Sequence, residues 1–136
     1  MAVTRRVLLI EDESAARSAL ESLLREEGFE VRSAATGRQG LLDAREFHPD
    51  TVLCDYFLPD IDGLEILREL KGDGKPLSFV AITAGGGGER AQGALRREAD
   101  HYLPKPLDLA RLREILGPPE NGKAGRAGDE PNPTRT

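Results

Sequence analysis

Apolar residues along the chain fall into two alternating patterns. Five short runs rich in aliphatic or β-branched residues, Val7 to Ile10, Glu30 to Ala34, Thr51 to Cys54, Ser78 to Thr83 and His101 to Leu103, read as strands. Between them, apolar residues recur at three and four, the spacing of a helix that buries one face. Ala16, Ala19, Leu20, Leu23 and Leu24 make the stripe of a first helix, and Gly28 stands where a left-handed C-terminal cap is wanted. A second helix is predicted from Thr36 and a third from Asp62. Gln39 and Glu65 stand three residues further on, the pattern of reciprocal capping boxes. Leu64, Leu67 and Leu70 mark the third helix's buried stripe. A fourth, Glu89 to Glu98, has only Ala91, Ala94 and Leu95 to bury and contains Gly93, which costs about 1 kcal/mol relative to alanine. It is expected to be the least firmly held. The last helix, Asp108 to Leu116, is expected to bury Leu109, Leu112, Ile115 and Leu116.

Strand and helix thus alternate five times. Parallel strands need crossover connections, so this order predicts an α/β fold: a (βα)5 doubly wound, five-stranded parallel sheet in a three-layer α/β/α sandwich. The unbroken apolar runs Val7-Leu8-Leu9-Ile10 and Val80-Ala81-Ile82 suit strands covered on both faces. From Gly117 onward the composition turns to Pro, Gly and mixed charges, which bury too little surface to offset their ordering entropy. The expected division is a domain over residues 1–117 and a flexible Pro/Gly-rich tail over 118–136. No internal repeat is visible.

Composition narrows the function classes. At 136 residues, with 38% hydrophobic and 32% charged, the chain suits one domain with a modest core. No apolar run approaches the roughly 20 residues of a membrane-spanning helix, and Met1 to Arg6 lacks the apolar stretch of a secretory signal. A cytoplasmic protein without membrane insertion is expected. The single cysteine, Cys54, excludes an internal disulfide and a Cys-rich zinc site. With 24 acidic against 19 basic residues, the net charge of -5 argues against direct nucleic-acid binding. A divalent cation or a protein is the more natural partner.

In an open parallel sheet, ligands bind beyond the carboxyl ends of the strands. Glu11, Asp12 and Glu13 follow the first strand, Asp55 ends the third, Thr83 and Ala84 the fourth, and Lys105 and Pro106 follow the fifth. Two like charges 4 Å apart repel by about 4 kcal/mol at an effective dielectric near 20, so Glu11, Asp12 and Asp55 held together call for a cation. Hard carboxylate oxygens suit Mg²⁺ or Mn²⁺. With a metal and Lys105 to neutralise transferring oxygens, Asp55 can attack phosphorus and form an aspartyl phosphate.

At these residues the sequence resembles the receiver domain of two-component response regulators, a CheY-like variant of the flavodoxin-like sandwich. The matching motifs are Leu8-Leu9-Ile10-Glu11-Asp12-Glu13, Asp55 through Gly63, Thr83-Ala84 and Tyr102-Leu103-Pro104-Lys105-Pro106, spread over about Thr4 to Leu116. The resemblance implies that Asp55 is the phosphoacceptor. It implies that Asp12 holds Mg²⁺ directly and Glu11 through water, with the backbone carbonyl of Phe57 as a further ligand. Thr83 and Lys105 would contact the new phosphoryl group, Tyr102 would be the aromatic switch, and the Lys105–Pro106 bond would be cis. A single-domain regulator would accept phosphoryl groups from a histidine kinase or a histidine phosphotransfer protein. It would answer a downstream protein target through the face made by the fourth helix, fifth strand and fifth helix. The sequence leaves open a homodimer through the fourth or fifth helix, and the identity of the target. Such a protein is a signalling phosphoacceptor and not an enzyme, apart from self-phosphorylation from small donors and autodephosphorylation.

Phe57 and Gly85 occupy the two positions that tune phosphoryl lifetime in this family. Gly85-Gly86-Gly87-Gly88 is read as a flexible strand-to-helix connection, because it lacks the ending of a P-loop. Pro104 removes a ladder N–H and is expected to shorten the fifth strand. The main alternative is a Mg²⁺-dependent phosphatase or phosphotransferase on a similar fold. Against it, Phe57 stands where a second carboxylate would serve as acid or base. His48 and His101 lie away from the strand ends and are read as surface or packing residues.

Overall fold

The computed structural model describes residues 3–121, and the elements follow the predicted alternation. They are β1 (Val3–Thr4), β2 (Arg6–Ile10), α1 (Ser14–Glu26), β3 (Glu30–Ala34), α2 (Gly37–Phe47), β4 (Thr51–Asp55), α3 (Gly63–Gly72), β5 (Ser78–Thr83), α4 (Glu89–Glu98), β6 (His101–Pro104), α5 (Leu109–Leu116) and β7 (Glu120–Asn121). Five strands form one parallel sheet in the order β3-β2-β4-β5-β6. The winding direction reverses between β2 and β4, so the crevice of this fold opens where Ile10 and Asp55 end their strands.

Alternating side chains build two cores. Val7, Leu9, Leu53, Val80, Ile82 and Leu103 pack with Leu24 of α1 and Leu112 and Leu116 of α5. Leu8, Ile10, Val52, Cys54, Phe79 and Ala81 pack with Leu41, Ala44 and Phe47 of α2, Ile66, Leu67 and Leu70 of α3, and Leu95 of α4. Both faces of the central strands are covered, as the unbroken apolar runs require.

Helix ends follow their chemistry, with some departures. Gly28, at φ +106, donates its N–H to Arg25 O, and Phe29 N–H reaches Leu24 O, a Schellman closure of α1. Thr36 accepts from Gln39 N and Asp62 from Glu65 N, but neither box is reciprocal among the described residues: the Gln39 amide turns to Asp43, and the Glu65 carboxylate takes no bond from Asp62 N–H. In α3 the buried set is Gly63, Ile66, Leu67 and Leu70, a three-four repeat that leaves Leu64 only half-buried. Leu109 is 39% exposed, not buried, because α5 meets the sheet through Leu112 and Leu116, one turn apart. Ala16 and Ala19 are exposed too, since their short side chains do not reach across to α5. Together with Leu20 and Leu109 they line an apolar groove of about 340 Å³. Pro104 does not shorten its strand: β6 is an edge strand, where a missing donor is tolerated, and Lys105 N–H still reaches Thr83 O.

The segment read as tail from residue 118 begins by folding back. Pro119 O accepts from Arg5 N, and β7 pairs antiparallel with β1, Val3 opposite Asn121 and Thr4 opposite Glu120. Residues 122–136, where the rest of the expected tail falls, lie outside the described residues. No helix among those described is long and apolar enough to cross a membrane.

Candidate functional site

Parallel pairing brings Asp55 to the sheet's carboxyl edge beside Ile82, and Ile10 leads straight into Glu11 and Asp12. One carboxylate oxygen from each of Glu11, Asp12 and Asp55 lies within 4.8 Å of the other two. Asp55 and Glu11 are buried, and Asp12 is exposed at the rim. Lys105 enters from the end of β6. Its Nζ lies 2.8 Å from Asp55 Oδ2 and 3.3 Å from Glu11 Oε1. Burial pulls the Lys105 ammonium down, but its hydrogen bond to Asp55 and the charges of Asp55 and Glu11 outweigh this, and it titrates above the ordinary lysine value. One ammonium against three carboxylates leaves the cluster with excess negative charge.

Each of Glu11's polar groups is engaged. Oε1 takes Lys105, Oε2 takes Glu13 N–H at 2.9 Å, the carbonyl takes Arg17 Nη1 at 2.9 Å, and the N–H reaches Ala34 O. Glu13 caps α1 by accepting from Ala15 and Ala16, so it is the one acid of the first triplet turned to the helix and away from the cluster. Sequence reasoning missed Arg17, for no motif marks an arginine that serves a main-chain carbonyl six residues back.

Thr83 ends β5 with 1% exposure, and its hydroxyl accepts Gly85 N–H at 3.0 Å. Its carbonyl holds Lys105 N–H, so Thr83 and Lys105 are joined through the main chain. The Lys105–Pro106 bond is cis. Tyr102 is half-buried with Arg96 stacked 4.7 Å above its ring, and its hydroxyl donates to Gln92 Oε1 at 2.8 Å. Gln92 Nε2 in turn donates to Gly86 O at 2.6 Å. This strap from β6 through α4 to the glycine loop is invisible in sequence, because Gln92 belongs to no motif.

All four residues of the Gly85–Gly88 connection have positive φ, between +74 and +91. The loop lies over the Tyr56 and Phe57 rings, which meet edge to face at 4.8 Å. Phe57 is 49% exposed and presents no acid or base two residues beyond Asp55. His48 is exposed in the left-handed cap of α2, and His101 lies in β6 outside the acidic cluster.

Comparison with known proteins agrees with this geometry. A family model described as the response regulator receiver domain matches residues 7–117. The chain is 36% identical over 115 residues to Response regulator MprA of Mycolicibacterium vanbaalenii, covering 82% of this chain and 50% of that protein. It therefore spans about half the length of the curated relatives it matches. A crystal structure of a CheY-like response regulator receiver domain protein from Methanospirillum hungatei JF-1 superposes with a TM-score of 0.76 at 28% identity, covering 84% of this chain and 91% of that one. A receiver domain protein from Clostridium thermocellum gives 0.75 at 30% identity, covering 82% and 90%.

Proposed function

Because the chain belongs to the response regulator receiver-domain family of two-component signalling, we propose that Asp55 is its phosphoacceptor and that Asp12, Glu11 and the Phe57 carbonyl serve a divalent cation beside it. The observation that carries this reading is the meeting of three carboxylates within 4.8 Å with the Lys105 ammonium 2.8 Å from Asp55. The donor set fits Mg²⁺ or Mn²⁺: all oxygen, carboxylate-rich, and open on the Asp12 side. Asp12, Asp55 and the Phe57 carbonyl would be the direct ligands. Glu11, with both oxygens already in hydrogen bonds, acts through water.

When bound, the cation supplies charge neutralisation on the transferring oxygens. The chain's own groups do the rest. An Asp55 carboxylate oxygen attacks phosphorus of a phosphohistidine on a histidine kinase or histidine phosphotransfer protein. The O–P bond forms as the P–N bond breaks, and the departing imidazole keeps the electron pair and takes up a proton. Lys105 exchanges its Asp55 contact for a phosphoryl oxygen, and the Thr83 hydroxyl turns from Gly85 N–H to another. That turn releases the loop leading to α4, so Tyr102 and the face of α4, β6 and α5 are offered to a downstream protein.

Incubation with Mg²⁺ and acetyl phosphate tests the reading. The expected result is an intact-mass gain of one phosphoryl group that hydroxylamine removes. Steady phosphate release from many monoesters with no stable adduct would instead mark a phosphatase.

A further inference from the structure

Asp60 does something its place in the sequence does not suggest. It lies in the exposed connection between β4 and α3, yet its carboxylate reaches across to another helix. Oδ1 accepts Gly37 N–H and Oδ2 accepts Arg38 N–H, both at 2.8 Å, the first two donors of α2. Those donors have no intrahelical partners, and a carboxylate there also meets the positive end of the helix dipole. Burial works against ionising Asp60, but the main-chain donors of Arg38, Gly37 and Ile61 outweigh it, and its carboxyl titrates below the ordinary range.

The approach is built by shape as well as charge. A Cβ on Gly37 would fall 2.5 Å from Ile61 Cγ1 and 3.0 Å from Ile66 Cδ1, so only glycine lets the loop close on α2. Ile61 is buried beside it. At the other end, Gly63 N–H closes on Tyr56 O at 2.9 Å, and a Cβ on Gly63 would lie 2.9 Å from Asp55 O. Phe57, Leu58 and Pro59 are therefore strung between an anchor at Tyr56 and an anchor at Asp60. Phe57 is the residue whose carbonyl serves the cation in the reading above, and this inference rests on that reading.

We propose that Asp60 is a positioning residue for the cation site: by clamping the loop to the N-terminus of α2, it holds the Phe57 carbonyl ready to bind. Thr36 supplies the control. It caps the same helix through Gln39 N, but it belongs to α2's own entry and holds no part of the loop.

The test is a titration of the unphosphorylated protein with Mn²⁺, reading free Mn²⁺ by electron paramagnetic resonance, alongside thermal melts. Asp60→Ala should weaken Mn²⁺ binding about tenfold, the lower end of what loss of a group supporting a metal ligand does. Asp60→Asn keeps one acceptor oxygen and should fall between Asp60→Ala and the unmodified protein; it carries the test if Asp60→Ala does not fold. Thr36→Val should lower the melting temperature but leave Mn²⁺ affinity within twofold. Unchanged Mn²⁺ affinity in Asp60→Ala and Asp60→Asn, or equal weakening in Thr36→Val, overturns the clamp. Failure of the unmodified protein to bind Mn²⁺ refutes the phosphoacceptor reading itself.

Discussion

Lys105 Nζ sits 2.8 Å from Asp55 Oδ2, an ion pair between residues fifty positions apart at the carboxyl edge of the sheet. The ammonium both steadies Asp55 and competes with any cation for the same oxygens. A unit charge and a double charge roughly 5 Å apart repel by about 1.7 kcal/mol even at a dielectric near 80. Lys105→Gln should therefore bind Mn²⁺ roughly tenfold tighter while accepting phosphoryl groups from acetyl phosphate more slowly. Paired Mn²⁺ titrations and labelling time courses check both signs.

Much of this was legible in the sequence, for a physical reason. Strand ends at one edge of a parallel sheet are forced together by the topology, so Glu11, Asp12, Asp55, Thr83 and Lys105 could be grouped from strand positions alone. What escaped was whatever depends on where a side chain goes after leaving the backbone. In sequence Asp60 stands at the approach to the third helix, but its carboxylate serves the second. Gln39 was read as half of a capping box, but Asp43 competes for its amide. Leu109 satisfies a helical period yet faces a groove, because periodicity cannot tell which of two adjacent stripes a short helix buries. The pairing of β1 with β7 joins residues more than a hundred positions apart through two-residue strands, too short to leave a pattern.

The strap from Tyr102 through Gln92 to Gly86 makes a prediction about motion. One hydrogen bond is worth about 0.5–1.5 kcal/mol net. Gln92→Ala should speed amide exchange across Gly85–Gly88 by up to roughly tenfold at that energy and leave β2 and β4 unaffected. Hydrogen–deuterium exchange resolved by peptide reads this.

Within the glycine loop, conformation and crowding can be separated. Gly87 has φ +74, and a Cβ there would lie 2.7 Å from the Tyr56 ring; Gly88 has φ +91 and open space. At φ 91 and ψ 157, where essentially only glycine sits, Gly88→Ala should cost about 1–3 kcal/mol from backbone strain alone, and Gly87→Ala should cost more than its own strain because the Tyr56 ring must also give way. Urea unfolding of the two variants measures both costs.

Acid should weaken the fold in a defined window. In Asp60 and Asp100 burial favours the neutral acid, but main-chain donors at Asp60, and Lys71 with Phe79 N–H at Asp100, win and lower both carboxyls. A carboxyl depressed in the folded state stabilises above its unfolded value near 3.9, and that contribution is lost as pH falls through the folded value. The urea midpoint should hold from about pH 7 to 5 and drop below about pH 4. Asp100→Asn should lower the plateau and flatten the acid limb.

The central claim is that Asp55 receives the phosphoryl group. Borohydride reduces an aspartyl phosphate to homoserine, which fixes the site in a peptide map. After treatment with Mg²⁺ and acetyl phosphate, the account predicts homoserine at position 55 alone, and no adduct in Asp55→Asn. Homoserine at position 12, or an Asp55→Asn protein labelled as fully as the unmodified one, would contradict it.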